Sequence, residues 1–129
     1  KDIWEITPEN VIERYAIFKK EMQSVNARLE YFKGEKIYGY GAALMLPVLS
    51  YFLENDFSKF ECIVDDDKRK NGLYYINLPV PIKGRDAIKD TRNSIFLLTA
   101  IASLTNIRSM LPNLFQLRPK HVIVPLSTL

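Results

Sequence analysis

The sequence predicts an α/β fold in which a mostly parallel sheet lies between two layers of helices, with a long helix ahead of the first strand. Short apolar segments alternate along the chain with segments of helical periodicity. The short segments are apolar almost without interruption, which is typical of parallel strands covered on both faces. At 129 residues, of which 47% are hydrophobic, the chain is long enough for one compact domain with its own core.

The first element is predicted to be a long amphipathic helix. Thr7 followed by Pro8 is typical of an N-cap and the first helical position, and Gly34 predicts the end of the helix. Between them the apolar residues recur at spacings of three and four, at Val11, Tyr15, Phe18, Met22, Val25, Leu29 and Phe32. We therefore assign residues 1–35 to an N-terminal helix and residues 36–129 to the α/β part of one compact domain.

The rest of the chain is predicted to alternate between strands and helices. A β-prone run at Lys36–Tyr40 is followed by a helix at 43–53, whose regular part depends on Pro47, and then by a buried strand at 60–64. Further along we expect extended segments at 73–76 and 79–82, one helical turn at 85–89, a strand at 94–99, a helix at 104–115 and a closing strand at 121–125. The prolines of the segment at 79–82 confine it to a sheet edge or to irregular structure. This order indicates a Rossmann-like three-layer domain.

The junction between the first strand and the next helix has the composition of a phosphate-binding turn. Gly39 and Gly41 allow a sharp turn and a close approach to a ligand, and the following helix presents its free N–H groups. A dinucleotide fingerprint needs a third glycine, where this chain has Leu44. Asp65 ends the next strand, where an acid can accept a hydrogen bond from a ribose hydroxyl. Two interpretations stay open: a turn that binds a ligand, and a tight turn that binds nothing.

Composition excludes several classes of function. The 18 basic and 15 acidic residues give a net charge of +3 and are scattered, so nucleic acid is not an expected partner. No apolar run approaches the length of a membrane span, and a lone Cys62 permits no internal disulfide, so we expect a cytoplasmic protein. The adjacent acids at 65–67 alternate between faces, and no catalytic motif occurs, so we assign neither a metal site nor a catalytic residue.

Taken in order, these segments resemble the C-terminal domain of the S-adenosylmethionine-dependent sugar C-methyltransferases, which act on nucleotide-linked deoxysugars. The resemblance runs from about residue 8 to residue 125. After the long helix its markers are Tyr40-Gly41-Ala42, Asp65, Lys70-Asn71-Gly72 and Pro79-Val80-Pro81-Ile82. No single marker is unique to that family, but their order and spacing together predict membership.

Two departures from the family pattern concern the ligand. The family commonly continues Tyr-Gly-Ala with a Lys-Gly pair, where this chain has Met45 and Leu46. A lysine at a helix N-terminus holds phosphate, and methionine does not. The family also tends to place Trp-Asn after the next central strand, where this chain reads Thr99-Ala100-Ile101.

The resemblance implies a division of labour within a longer chain. Binding of zinc and S-adenosylmethionine and the methyl transfer belong to preceding domains, so we expect no cofactor in this chain and interpret it as a fragment. It would be an accessory, non-catalytic domain that packs on the catalytic domain. The partners we expect are the rest of a methyltransferase chain, a nucleotide-sugar and, through the long helix with Trp4 before it, a second copy. The candidate ligand contacts are Gly39, Tyr40, Gly41, Ala42, Asp65 and Lys70.

Other functions remain open at this stage. A stand-alone nucleotide or nucleotide-sugar binding module, or the N-terminal module of a sugar acyltransferase, uses a similar glycine-rich turn and strand-end acid. A dehydrogenase fragment that binds NAD is disfavoured by Leu44 and by the lack of a catalytic partner.

Overall fold

A computed structural model describes residues 6–101 and 104–125 of the chain. It contains five parallel strands with helices on both faces, which confirms the predicted Rossmann-like α/β fold and its long leading helix. The elements are α1 (Pro8–Tyr31), β1 (Lys36–Tyr40), α2 (Leu46–Leu53), β2 (Ile63–Val64), β3 (Ile82–Lys83), β4 (Ser94–Leu98), α3 (Leu104–Gln116) and β5 (His121–Ile123). Three short 3₁₀ turns lie at Lys68–Lys70, Arg85–Ala87 and Thr91–Asn93. Trp4 lies outside the described residues.

The strands lie in the order β3-β2-β1-β4-β5. The chain starts at the centre of the sheet, moves outward through β2 to β3, and then returns to the other side of β1 to form β4 and β5. Gly39 is paired with Ile63 on one side and with Leu97 on the other. The direction of winding therefore reverses between β1 and β4, which is where ligands bind in open α/β sheets.

One face of the sheet is covered by α2 and α1 together. Right-handed crossovers from β1 to β2 to β3 place α2 and the segment around Val80 on this face, and they leave the β4 and β5 side open. The last turns of α1 cover that side. Their apolar residues Met22, Val25 and Leu29 join Ile95, Leu97 and Ile123 in one buried cluster with α2. The long helix thus completes the core of the α/β part.

The opposite face is covered by α3, which the crossover from β4 to β5 places there. Ile107 and Leu114 pack with Tyr38 and Phe96, whose rings stack with centroids 5.4 Å apart. Both faces of the central strands are therefore buried, as the nearly continuous apolar runs predict.

The cap of α1 follows the prediction at its start and differs slightly at its end. The Thr7 hydroxyl oxygen accepts the N–H of Asn10 at 3.2 Å, as expected of an N-cap. The helix ends at Tyr31 with Phe32 as C-cap, and Gly34, at φ +91°, lies in the turn that follows. The glycine therefore allows the connection to β1 and does not itself end the helix.

Several predicted boundaries are wrong by a few residues. The second helix begins at Leu46 and not at residue 43, because Ala42 and Ala43 are held in the turn by side chains and Pro47 stands in the first helical turn. The strand predicted at 60–64 is regular only at Ile63–Val64, because the N–H of Phe60 bonds the carbonyl of Phe57 in a turn.

The other elements are close to prediction. The strand predicted at 94–99 ends at Leu98, the helix predicted at 104–115 ends at Gln116, and the closing strand ends at Ile123. β3 is an edge strand, as its prolines indicated, and the segment before it contributes a single antiparallel bridge between Tyr74 and Pro81. None of the helices in the described ranges has the length and apolarity that a membrane span requires.

Candidate functional site

The turn after β1 lies where the winding of the sheet reverses, and its backbone is bonded to both neighbouring strand ends. The N–H of Gly41 donates to the carbonyl of Val64 at 2.8 Å. On the other side, the buried Thr99 hydroxyl donates to the carbonyl of Gly41 at 2.6 Å, and the Thr99 N–H donates to the carbonyl of Tyr40 at 3.1 Å. The turn is thus fixed between β2 and β4.

The two glycines are required by packing inside the protein. Gly41 has φ +103°, and a Cβ there would lie 2.5 Å from the Cβ of Ala100 and 2.6 Å from the Cε of Met110. A Cβ on Gly39 would lie 2.4 Å from the Cδ1 of Ile63. The close approach that a glycine permits is therefore made here by the protein's own side chains.

Asp65 holds the next residue of the turn. Its Oδ2 accepts the N–H of Ala42 and its Oδ1 accepts the N–H of Asp67, both at 2.8 Å. The Lys70 ammonium donates to the carbonyl of Ala42 at 2.9 Å and lies 3.9 Å from Asp65 Oδ2. Asp65 and Lys70 therefore both bind the backbone of Ala42. Asp65 accepts its N–H, and Lys70 donates to its carbonyl.

Tyr75 completes this arrangement. Its hydroxyl donates to the carbonyl of Ala43 at 2.6 Å. Burial, with a smaller effect from the Asp65 charge, raises the pKa of Tyr75 to about 12, so the hydroxyl keeps its proton. Asp65, Lys70 and Tyr75 all come from the segment between β2 and β3, and we call these three side chains the turn clamp. The sequence carried no signal that distinguished Tyr75 from an ordinary sheet aromatic.

A second polar cluster stands beside the turn. The Arg85 guanidinium donates to both carboxylate oxygens of Asp66, at 2.9 and 3.2 Å, and to the Tyr40 hydroxyl at 3.0 Å. Hydrogen bonding to Asp66 raises the pKa of Arg85 above its ordinary value, while burial raises the pKa of Tyr40. Sequence analysis missed Arg85, because only the path of the chain after β3 brings it to the end of β1.

Between these two clusters lies a crevice of about 140 Å³. Its walls are formed by Tyr40, Gly41, Val64, Asp65, Asp66, Met110 and Asn113. Of the predicted contacts, Tyr40, Gly41 and Asp65 line the crevice, Ala42 and Lys70 lie behind it in the clamped turn, and Gly39 is inside the sheet. We call this space the switch-point crevice.

The charges around the switch-point crevice are already paired. Lys70 and Arg85 each contact a carboxylate, that of Asp65 and Asp66 respectively. Leu44 and Met45, which follow the turn, are exposed apolar side chains. The crevice therefore offers hydrogen-bonding groups, and both of its nearby cations are already neutralised by an acid.

The structure separates the residues of the one Cys/His pair that the sequence contains. Cys62 lies just before β2 and His121 begins β5, two strands with β1 and β4 between them. Three strand spacings amount to about 14 Å, so the two side chains do not meet. Burial also raises the pKa of the Cys62 thiol to about 11, which disfavours the nucleophilic thiolate. Within residues 6–101 and 104–125, no three His, Cys, Asp or Glu side chains are grouped as metal ligands.

Comparison with protein families gives one match that covers nearly the whole chain. The model of a family described as "C-methyltransferase C-terminal domain" matches residues 9–126. The match includes α1 as well as the sheet, the turn clamp and the switch-point crevice. Comparisons with curated proteins and with solved structures give no match.

Proposed function

Because the chain belongs to the C-methyltransferase C-terminal domain family, we propose that it is the accessory, non-catalytic domain of a sugar C-methyltransferase. In this role it packs on a catalytic domain that binds S-adenosylmethionine and carries out methyl transfer. It contributes one wall of the site for a nucleotide-linked sugar. A C-terminal domain is part of a longer chain, and under this proposal that chain is a methyltransferase.

The turn clamp is the observation that carries the accessory role. In a dinucleotide-binding domain the glycine turn and the helix after it bond the phosphates of the cofactor. Here Asp65 accepts the N–H of Ala42, and Ala100 and Met110 occupy the space beside Gly41. This internal use of the turn supports the proposal that cofactor chemistry belongs to another domain.

The switch-point crevice supports contact with the substrate. Asp66 and the amide of Asn113 offer hydrogen-bond partners to hydroxyl groups, and Tyr40 adds a phenol edge. Pockets for whole drug-sized ligands have volumes of roughly 300–1,000 Å³. At about 140 Å³ the crevice accommodates one ring-sized part of a nucleotide-sugar, and the catalytic domain covers the remainder.

Methyl transfer by the full-length protein and by this domain alone tests the accessory role. We expect transfer from S-adenosylmethionine to a nucleotide-linked deoxysugar in the first case and none in the second. Turnover by the isolated domain would overturn the accessory role. A full-length gene product without a methyltransferase domain would also overturn the accessory role.

Substrate contact has a separate test in the full-length enzyme. Asn113→Ala and Asp66→Asn are expected to raise KM for the nucleotide-sugar several-fold and to change kcat little, because they remove binding contacts that do not take part in the reaction. Gln116→Ala is the matched control, since Gln116 lies on α3 outside the crevice. An unchanged KM in both crevice variants would remove the substrate from this site and leave the accessory role standing.

A stand-alone nucleotide or nucleotide-sugar binding module is the second candidate, favoured by the position of the crevice at the reversal of the sheet. Under this alternative, UDP-sugars or dTDP-sugars raise the melting temperature of the isolated domain, and the shift grows with the logarithm of ligand concentration above Kd. A shift in the isolated domain together with an inactive full-length protein would favour the module over the accessory domain.

A further inference from the structure

Only the second half of the apolar stripe of α1 is buried. Met22, Val25 and Leu29 are at most 6% exposed and pack on the sheet. The same stripe continues toward the start of the helix at Tyr15 and Val11, which are 53% and 54% exposed. The helix therefore carries a core-type stripe onto a part that the described residues leave uncovered.

The uncovered part spans nearly two helical turns. From Val11 to Ile17 the helix rises about 9 Å, and its exposed apolar side chains there also include Ile12 and Ile17. Helical turns without tertiary packing are marginally stable in water. A stripe of this length, maintained at spacings of three and four, indicates a surface that packs against another body.

The exposed stripe leads into a groove between α1 and the end of α2. The groove has a volume of about 1110 Å³ and an apolar floor that includes Met22, Leu53 and Phe60. Phe18 and Phe52 meet edge to face above the floor, with ring centroids 4.9 Å apart, and Tyr51 beside them is 77% exposed. We call the stripe and the groove together the α1 docking face; its residues are Val11, Ile12, Tyr15, Phe18, Tyr51 and Phe52.

The charges around the groove include both signs. Lys19, Lys33 and Lys59 stand among Glu30, Glu54 and Asp56. Such a rim does not select a nucleic acid or an anionic membrane, which need a field of one sign. An apolar floor with aromatic walls and a mixed charged rim is typical of a protein interface.

We propose that the α1 docking face is covered by the methyltransferase domain that precedes this domain in the same chain. The inference rests on the proposed function, because the family is a C-terminal domain and its catalytic neighbour therefore joins the chain ahead of α1. The uncovered stripe lies on the half of α1 nearest to that junction. The neighbour thus reaches the face without a long linker and continues the packing that Met22, Val25 and Leu29 begin.

Hydrogen exchange in the full-length protein and in the isolated domain tests this inference. We expect the backbone amides of residues 11–18 to exchange at least tenfold more slowly in the full-length protein, because docking removes the local fraying of the helix. The amides of β4 serve as an internal standard, since that strand is buried in both proteins. Equal exchange at residues 11–18 in the two proteins would overturn the proposal.

A pair of variants separates docking from loss of the fold. Tyr15→Glu in the full-length protein should return residues 11–18 to the exchange rates of the isolated domain. The same change should leave the melting temperature of the isolated domain unaltered, because Tyr15 is already half exposed there. Ser24→Glu, on the outward side of the same helix, is the matched control and should leave the protection in place.

Two further outcomes would show either that a second copy covers the α1 docking face or that the proposed function is wrong. Protection of residues 11–18 in the isolated domain that rises with concentration, with a dimer in sedimentation, would assign the face to a second copy and overturn the proposal. A full-length product without a methyltransferase domain would overturn the proposed function itself. If the domain is present and active but the face exchanges freely, only the docking inference fails.

Discussion

Asp65 accepts two backbone N–H groups, those of Ala42 and Asp67, and lies beside Lys70. Asp65→Ala leaves both N–H groups without this acceptor and leaves the ammonium without its acid. Because lost hydrogen bonds to a charged group cost about 1.5–3 kcal/mol, we expect the free energy of unfolding to fall by roughly 2–4 kcal/mol. Urea denaturation measures the change. Asp86→Ala, at an exposed position, is the control and should cost under about 0.5 kcal/mol.

Cys62 makes the stability of the domain depend on alkaline pH. Burial raises the pKa of its thiol from the ordinary 9.0 to about 11. Above pH 9 the unfolded chain loses a proton that the folded chain keeps, so the unfolded state binds fewer protons and stability falls as pH rises. The stabilisation is complete below pH 9 and is lost by about pH 11, at most about 3 kcal/mol.

Tyr75 acts in the same direction at higher pH, since its pKa of about 12 also lies above the ordinary 10.0. Urea denaturation at intervals from pH 8 to pH 11 measures the combined loss. In Cys62→Ala the decline between pH 9 and pH 11 should become shallower, whatever the variant costs at pH 8. An equal decline in both proteins would contradict the assignment to the thiol.

The sequence grouped Ala42, Asp65 and Lys70 as candidate ligand contacts, and the structure brings the two side chains to the backbone of Ala42. The positions of Asp65 and Lys70 follow from the ends of β2 and the turn after it, so their approach to Ala42 was within reach of a sequence argument. Tyr75 and Arg85 lie in irregular segments that return to the turn after β1. The course of such segments cannot be predicted from hydrophobic periodicity.

Among the elements, the turn after β1 needs a glycine at Gly41 both for its backbone conformation and for the space around it. Gly34, in the turn before β1, serves as a comparison. Gly34 and Gly41 both have positive φ, at +91° and +103°. A Cβ on Gly34 meets nothing within 4 Å, whereas one on Gly41 meets Ala100 and Met110. Gly34→Ala therefore isolates backbone strain and should cost about 1 kcal/mol, and Gly41→Ala adds a clash and should cost about 3 kcal/mol or more.

Thermal and urea unfolding of the two glycine variants give the comparison. Similar losses for Gly34→Ala and Gly41→Ala would show that the packing around Gly41 yields to a methyl group. Met110 is the side chain that could move, because its Cε is the far end of a flexible chain.

The elements differ from their predicted lengths for local reasons. Apolar composition predicts burial and not regularity, and Phe60 is buried within a turn. Residues 61 and 62 still pair with β1, since the Glu61 N–H donates to the Ile37 carbonyl and the Cys62 carbonyl accepts the Gly39 N–H, so the turn at Phe60 delays the start of the regular strand. The central strands β1 and β4 were predicted almost to the residue, at Lys36–Tyr40 and Ser94–Leu98.

For the whole molecule, α1 is divided into a part that completes the core and a part that does not. Removal of residues 1–18 should leave the sheet folded, because Met22, Val25 and Leu29 remain. Removal of residues 1–33 takes away these three buried side chains, each worth about 1.5–3 kcal/mol, out of a total stability of roughly 5–15 kcal/mol. Circular dichroism melting should show a cooperative transition for the first truncation and none for the second.

The contact between α1 and β5 also has a consequence for biosynthesis. Glu35 pairs with Lys120, 85 residues further along the chain, and Phe32 packs on His121 with ring centroids 4.9 Å apart. Synthesis at about 5–20 residues per second leaves α1 outside the ribosome for roughly 4–17 s before its partner strand exists. During that interval the stripe of the helix is open to chaperones and to other nascent chains. The last strand to be made completes the burial of the second half of the stripe, at Met22, Val25 and Leu29.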